Sequence, residues 1–209
     1  MNGFFNGTER IAGAALLLSI LSILVGLLVV ATQGKFRGLA AAFMGVEGFG
    51  ASASALAVMT KAGLPFALLQ AVGFGILAAQ LRGAGEASIA TVSFGFLIFA
   101  LSVSSIEGTF QGSVTVWAGQ QWARTGSAPE MYEALRTWIN GSIQPVYIFA
   151  YLAAMAGFSL GILRTRLLAP WVGWLSLGWS IFWIVGYMVV GIPAVIIMFP
   201  LIYGIGLLL

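Results

Sequence analysis

The sequence predicts an all-α membrane protein: a polytopic transmembrane helical bundle of about six spans, with one short amphipathic surface helix. Of its 209 residues, 60% are hydrophobic and 7% charged, whereas about a quarter of the residues in a soluble domain are charged. The charged residues also lie mostly between long apolar runs. A span needs about 20 apolar residues to cross a bilayer. Six spans therefore leave room for two loops and no soluble domain, and we expect residues 1–209 to form one domain.

The first span is predicted over 11–31, and its apolar run exceeds the roughly 7 to 15 residues of a signal-peptide core. We interpret it as a retained membrane helix. The stretch 38–60 consists mainly of Gly, Ala and Ser, with Glu47 near its middle, and a central carboxylate costs about 2.5 kcal/mol or more to insert. We therefore predict an extramembrane loop over 32–63 with an interfacial helix that leads toward the next span. Insertion of 38–60 as a seventh span or as a re-entrant segment is the alternative.

The second and third spans are predicted over 64–81 and 88–106. Between them lies only the short turn Gly83-Ala84-Gly85-Glu86. A connection of this length makes the two helices antiparallel neighbours. We expect a helical hairpin.

A second extramembrane loop is predicted over 107–143, and the amphipathic surface helix lies within it, over 128–140. Ser127 and Glu130 have the spacing of a capping box, and Asn140-Gly141 is a typical helix end. Apolar residues recur on one face of this helix, opposite its charges, at Met131, Leu135, Trp138 and Ile139. Such a helix lies along a membrane surface or on a partner protein.

The remaining spans are predicted over 144–163, 171–190 and 191–209. Arg164 and Arg166 end the first of them, and Pro170 starts the second, as a first-turn proline often does. Gly157 and Gly161 form a GxxxG pair, which allows two membrane helices to approach closely. Chance is the competing explanation, because the chain has 28 Gly.

Basic residues next to the shortest connections decide the expected orientation, because short loops count most under the positive-inside rule. In a six-span layout these residues all fall on one side: Arg10, Arg82, Arg164 and Arg166. We therefore expect a multi-pass protein of the bacterial cytoplasmic (inner) membrane, with both termini in the cytoplasm. A seventh span would reverse this assignment.

The composition excludes several kinds of chemistry. The chain contains no Cys, His or Asp, so it has no disulfides, no thiolate nucleophile and no histidine to ligate a metal or haem. No catalytic motif or carboxylate cluster occurs, and the basic residues are scattered. We expect no enzyme activity, no metal, no cofactor and no nucleic-acid partner.

Two glutamates are candidate site residues, because an ionisable residue at membrane depth is a functional hypothesis by default. Glu107 is predicted to close the third span in Ile106-Glu107-Gly108. There it would pair with an arginine, carry a proton or bind a polar headgroup. A solvated helix end is the competing interpretation, and Glu47 has the same two interpretations.

Tryptophans of the fifth span form a second candidate site. Trp179 and Trp183, with Trp171 and Trp174 nearer its start, lie along one broad side of the predicted helix. A flat apolar molecule such as a sterol, quinone or carotenoid would bind such a surface. Anchoring at the membrane interface and packing against neighbouring helices compete with this interpretation.

The boundary between the fourth and fifth spans resembles a known family. A span that ends in the basic pair Arg164 and Arg166, followed by Pro170 and Trp171 at the start of the next helix, resembles the small bacterial integral membrane proteins of domain-of-unknown-function family 4386. Ile106-Glu107-Gly108 is also similar to a position where a Glu commonly closes a helix in that family. The resemblance implies a helical membrane fold and no settled activity.

We expect a non-catalytic multi-pass protein, an accessory or structural subunit that packs against a larger membrane complex. Abundant Gly and Ala, aromatic faces and the surface helix favour this expectation, with membrane lipids and other membrane subunits as partners. The alternative is a carrier or binder of a small apolar or weakly acidic molecule, such as a lipid, quinone or carotenoid, that uses Glu107.

Overall fold

The computed structural model describes residues 2–32, 49–190 and 196–209, and the side chains of 7–32, 57–189 and 196–209. These residues form helices joined by short turns, and no β-strand occurs among them. The predicted all-α fold class is confirmed. Within the same residues, five helices are long and apolar enough to cross a membrane.

The helices of the described residues follow one another with few breaks. In chain order they are α1 (Asn2–Thr32), α2 (Phe49–Gly83), α3 (Ala87–Thr109), α4 (Thr115–Thr125), α5 (Glu130–Trp138), α6 (Gln144–Thr165), α7 (Pro170–Val190) and α8 (Met198–Leu208). The π-helical turns Phe110–Val114 and Ile139–Ile143 join α3 to α4 and α5 to α6. Two continuous helices of 39 and 36 residues result. At about 1.5 Å per residue, both exceed the hydrocarbon thickness of about 30 Å, so part of each lies outside it.

Two helices coincide closely with their predicted ranges. α6 covers the predicted 144–163 and ends two residues later, and α7 covers the predicted 171–190 and begins one residue earlier. α7 starts at Pro170 because the first turn of a helix leaves its N–H groups unpaired in any case. α6 ends where Arg166 adopts a left-handed conformation (φ 56°). The Arg166 N–H then bonds to the Ile162 carbonyl at 2.8 Å.

The chain packs into two compact units, each described here by itself. Unit 1 comprises residues 1–20, 67–102 and 146–209. Its core contains packed aromatic rings: Phe74 stacks on Phe158 with centroids 5.3 Å apart and meets Tyr203 edge to face at 5.2 Å. Leucines of α2 and α3 and Met155 of α6 fill the space around them. The expected single domain stays a prediction.

Close helix approaches fix the neighbours within unit 1. An ideal Cβ on Gly13 would lie 2.9 Å from the Gly204 carbonyl oxygen, so the backbones of α1 and α8 nearly touch. α2 and α3 are joined by the short turn at Gly85, whose φ of 100° favours glycine. Phe94 of α3 also contacts Gly75 of α2. These contacts agree with the predicted hairpin.

Unit 2 comprises residues 21–66 and 103–145. Its larger core is built from the buried side chains of Phe110, Ala118, Tyr132 and Ile139. The rings of Phe110 and Tyr132 stack with their centroids 5.8 Å apart. A smaller cluster packs Val30 of α1 against Val58 and Met59 of α2.

Many large apolar side chains point away from both cores. More than half of the side-chain surface is exposed at Leu21, Leu24, Leu28, Leu68, Val185 and Met188. Leu21, Leu24 and Leu28 follow one another along one side of α1, and a soluble monomer rarely exposes a large apolar patch. Contact with lipid tails explains these faces, since a bilayer is itself an apolar solvent.

α2 begins at Phe49, inside the segment where an interfacial helix was expected, and continues without a break into the predicted second span. Alanine has the highest helix propensity and leucine ranks next, and these two residues make up most of 51–57. That this part of α2 lies outside the membrane stays a prediction. Pro65 lies inside α2, and Ser22 donates to the nearby Ala62 carbonyl at 3.2 Å. Residues 33–48 lie outside the described residues.

The predicted loop over 107–143 is also largely helical. α4, α5 and both π-helical turns fall within it, and the surface helix predicted over 128–140 is α5. Ser127 does not form the expected capping box, since Pro129 occupies the N-cap and no side chain caps the helix. Gly126 ends α4 in a left-handed conformation with φ of 74°. Asn140-Gly141, predicted to end the surface helix, instead continues into α6 through a π-helical turn.

Pro145 gives a physical reason for the wider turn. It has no N–H, and its ring crowds the carbonyl of the residue four positions earlier. The widened turn Ile139–Ile143 precedes it directly.

The sixth predicted span, 191–209, is represented by the 11-residue helix α8. Pro200 lies in its first turn, where a missing N–H has little cost. At about 1.5 Å per residue α8 is shorter than a bilayer core. Residues 191–195, including Pro193, lie outside the described residues.

Candidate functional sites

Glu107 lies in the last turn of α3, two residues before its end at Thr109, and the helix continues through a π-helical turn to Thr125. Its side chain is half-buried. The next residue, Gly108, accepts a hydrogen bond through its carbonyl from Thr60 Oγ1 at 3.3 Å. Glu107 also takes part in an interaction of its own. The end of the membrane span at Glu107 and the functional role of this residue stay predictions.

Glu47, the other acidic candidate, lies outside the described residues. In the part of the chain that is described, no group of three or more His, Cys, Asp or Glu comes together. The expected absence of a metal and a cofactor stays a prediction.

The four tryptophans of α7 do not form one surface. Trp171 and Trp174 are exposed, while Trp179 and Trp183 are partly buried against the core of unit 1. The rings of Trp179 and Trp183 meet edge to face at 5.8 Å. Phe182 contacts Trp183 at 5.4 Å and is exposed.

The indole N–H of Trp183 is buried without a hydrogen-bond partner among the described residues. A buried donor without an acceptor is costly in an apolar environment. Trp183 therefore remains a candidate residue for binding a polar atom of a small molecule. Trp171 and Trp174 fit interface anchoring.

The most polar part of the unit 1 core is a hydroxyl cluster centred on Tyr203. Its hydroxyl donates to the Met155 carbonyl at 3.0 Å and accepts from Ser176 Oγ at 2.8 Å. Ser159 Oγ lies 2.9 Å from the same hydroxyl. The three side chains are buried and belong to α8, α7 and α6, so the cluster connects three helices.

A second polar pair lies in the same unit. The Tyr151 hydroxyl donates to Gln70 Oε1 at 2.6 Å, and both side chains are buried. Gln70 Nε2 has no hydrogen-bond partner in the described part of the chain, and neither amide atom of the buried Gln80 has one. Because buried amide groups are normally paired, Gln70 and Gln80 are positions where water or a ligand oxygen would be stabilised.

Neither polar group was predicted from the sequence. Serine and tyrosine are common in membrane helices, and only the rotation of each helix brings these hydroxyls together. Gln70 and Gln80 carry a usable signal, because both stand inside the predicted apolar span 64–81. A polar side chain at such a position usually faces the interior of a bundle.

In unit 2, the α4–α5 hairpin has an exposed apolar surface. We define the hairpin surface by four residues: Trp117, Met131, Leu135 and Trp138. The exposed fraction is 43% for Trp117, 61% for Met131 and 56% for Trp138. Trp117, Met131 and Leu135 line a shallow groove of about 360 Å³.

The predicted apolar face of the surface helix is divided between the core and this surface. Ile139, predicted on the same face as Met131 and Trp138, is buried together with Tyr132. Tyr132 lies within 3.5 Å of Thr115 Oγ1 through its hydroxyl. α5 thus has one apolar stripe that packs on α4 and a second that faces outward.

No protein-family model, curated protein or solved structure matches the chain. The resemblance to domain-of-unknown-function family 4386, carried mainly by the segment from Arg164 to Trp174 and by Glu107, therefore stays a prediction. Function is inferred from the geometry of the two units alone.

Proposed function

We propose that the protein is a non-catalytic accessory subunit of a bacterial inner-membrane complex and binds its partner through the hairpin surface. The observation that carries this proposal is the exposed apolar stripe of α5, which continues onto Trp117 of α4 and has charged residues beside it. Exposed apolar patches with polar edges mark interaction sites on proteins. Tryptophan and methionine are also enriched where proteins bind one another.

The residues around the stripe favour a specific partner. Arg124, Glu130, Glu133 and Arg136 place charges of both signs beside it. A helix that lies on an anionic membrane usually has lysine and arginine on its polar face, whereas this hairpin has no excess of either sign. Mixed charges around an apolar centre resemble the polar rim of a protein interface.

Photo-crosslinking in living cells tests the proposal. A photoreactive residue is placed at Met131, at Trp138 or, as the control, at the exposed Glu133 on another side of α5. We expect positions 131 and 138 to give the same protein adduct, identified by mass as one membrane protein, and position 133 to give none. Native mass spectrometry of the gently extracted protein should show that partner at fixed stoichiometry, and a Trp138→Ser variant should lose it. Lipid adducts alone, with a lone protein in the native spectrum, would exclude the accessory role.

The proposed orientation places both termini in the cytoplasm. Within unit 1, Arg164 Nε lies 2.8 Å from Glu86 Oε1, so the turn that follows Arg82 and the end of α6 lie together. An ideal Cβ on Gly13 would contact Leu208 at 2.9 Å, so the start of α1 lies beside the end of α8.

Reporter fusions test this orientation. A fluorescent protein that folds only in the cytoplasm should be bright after residue 209, and alkaline phosphatase inserted at Gly126 should be active; the reverse pattern contradicts it.

A second function, binding or transport of a small apolar or weakly acidic molecule, is favoured by Gln70. Its buried amide nitrogen has no acceptor among the described residues, and a carbonyl or carboxyl oxygen of a ligand would supply one. Gln70→Leu should then reduce the amount of a small molecule that co-purifies with the protein, as measured by mass spectrometry. Glu107→Gln tests the earlier assignment in parallel. If only Glu107→Gln loses the molecule, Glu107 and not Gln70 binds it. If no small molecule co-purifies with the unmodified protein or with either variant, this second function is excluded.

A further inference from the structure

An open groove runs between α3 and α6 in unit 1. It has a volume of about 300 Å³, and side chains of both helices line it: Val92, Ser93, Phe96, Ala153, Gly157 and Leu160. Nearly all of its surface is apolar. The groove is a shallow channel on the outside of the unit and is separate from the hydroxyl cluster in the core.

Small residues form the floor of this groove, and large residues form its walls. Gly157 lies directly against the Ser93 side chain, so α3 and α6 approach most closely there. Phe96 and Leu160 remain nearly half exposed on either side. Both members of the predicted GxxxG pair thus lie at close helix contacts: Gly157 against Ser93 of α3, and Gly161 between Leu81 of α2 and Ile89 of α3.

One end of the groove leads to an ion pair. α3 and α6 are antiparallel here, since Gly157 lies opposite Ser93 and Gly161 lies opposite Ile89. Beyond Ile89, Glu86 Oε1 accepts from Arg164 Nε at 2.8 Å. Arg164 is one helical turn beyond Leu160, so its side chain stands on the same side of α6 as the groove.

Arg164 can bind a second anion while it keeps its ion pair with Glu86. Its side chain is 66% exposed, whereas that of Glu86 is 18% exposed. The bond to Glu86 uses Nε, and an arginine has further N–H donors on its terminal nitrogens. Two further exposed arginines lie nearby in the chain: Arg82 in the last turn of α2, before Glu86, and Arg166 directly after α6. The single carboxylate therefore leaves an excess of positive charge at this end.

We propose that this groove binds one acyl chain of an anionic phospholipid whose phosphate contacts Arg164. Between Phe96 and Ser88 the α3 side of the groove extends for about 12 Å along the helix, which fits a segment of an acyl chain. Arginine binds phosphate oxygens through paired N–H donors. In a bilayer, lipid phosphates lie at the edge of the hydrocarbon region. An acyl chain that occupies the apolar groove would therefore place its phosphate next to Arg164.

Lipid titration of the purified full chain in nanodiscs tests the site, with native mass spectrometry counting the bound lipids. Phosphatidylglycerol and phosphatidylcholine with identical acyl chains are compared. We expect one phosphatidylglycerol to be retained in preference to phosphatidylcholine. Arg164→Gln should weaken its binding about fivefold, whereas Arg136→Gln, in unit 2, should leave it unchanged.

Two further variants separate lipid binding from a structural role of the ion pair. Glu86→Gln also breaks the pair but keeps the cation, so phosphatidylglycerol binding should persist or strengthen. Ala153→Phe fills the groove and should lower retention of both lipids, and Leu68→Phe on the exposed face of α2 serves as its folding control. Equal binding of the two lipids, loss of binding in Glu86→Gln, or an oligomer that Ala153→Phe dissociates would each overturn the proposal.

Discussion

The Tyr203 hydroxyl interacts with three groups from α6 and α7 inside the buried core of unit 1. In an apolar interior such bonds connect helices, because there is little water to replace them. The phenol ring itself packs against Phe74. Ring and hydroxyl therefore make separable contributions to stability.

Replacing Tyr203 with Phe should lower the free energy of unfolding by about 1 kcal/mol, because the ring contacts remain and only the hydroxyl contacts are lost. Ser180→Ala is the matched control, since Ser180 Oγ donates to the Ser176 carbonyl of its own helix at 2.9 Å. Its effect should stay within about 0.5 kcal/mol. Unfolding by sodium dodecyl sulfate in mixed micelles, followed by circular dichroism, measures both. Equal losses would show that the cluster does not connect helices.

Gly13→Ala should be more disruptive than its size suggests. The added Cβ would meet the Gly204 carbonyl oxygen at 2.9 Å, and a backbone atom of a packed helix cannot move away at low cost. We expect a loss of about 1 to 3 kcal/mol. Gly95 has no atom within 4 Å of an ideal Cβ, so Gly95→Ala should be neutral or slightly stabilising. The same micelle assay compares the two, and similar values would mean that α1 and α8 are not in close contact.

At the scale of the element, the sequence predicted helix interiors better than helix ends. α6 and α7 were located because Arg164, Arg166 and Pro170 interrupt the apolar run between them. A helix was also expected within 38–60, but the sequence did not specify that it continues into the second span without a break at Pro65. The π-helical turns were not predicted either, because a wider turn has no residue signature of its own.

Two glycines of unit 2 provide a test of where its helices end. Gly126 has a φ of 74°, which disfavours any side chain, so Gly126→Ala should cost about 1 kcal/mol. Gly141, predicted to end a helix, is exposed and continues a helical segment without a positive φ. Gly141→Ala should therefore stabilise by about 0.5 to 1 kcal/mol. Thermal unfolding in detergent measures both changes. Destabilisation by Gly141→Ala would support the predicted helix end at Asn140-Gly141, and stabilisation by Gly126→Ala would contradict the left-handed end of α4.

At the scale of the whole molecule, composition alone predicted the all-α membrane class, while the candidate sites depended on contacts. The hydroxyl cluster requires the relative rotation of three helices, which the sequence does not specify. Trp179 and Trp183 were predicted as site residues, but separating them from Trp171 and Trp174 required knowing which side of α7 packs inward. A single polar residue inside an apolar span, such as Gln70, is the sequence feature that best indicates a buried polar position.

Because the chain has no cysteine, single cysteines can carry spin labels that report their surroundings in nanodiscs. Labels at Leu68 and Val185, both more than half exposed, should collide often with dissolved oxygen and rarely with a water-soluble nickel chelate. A label at the exposed Gln120 of α4 should show the opposite preference. Relaxation measurements by electron paramagnetic resonance give both collision rates. High chelate access at 68 or 185 would contradict a membrane location for those faces.

Within unit 2, the π-helical turn Ile139–Ile143 sets the helical phase of α5 relative to the residues that directly follow the turn. Its Gln144 N–H bonds to the carbonyl of Ile139, five residues earlier, so the turn holds one residue more than an α-helical turn. Deleting Ser142 would restore the regular pattern and rotate α5 by about 100°. Met131 and Trp138 would then take the inward positions of Tyr132 and Ile139. One deletion would thus remove the hairpin surface without changing any of the residues that form it.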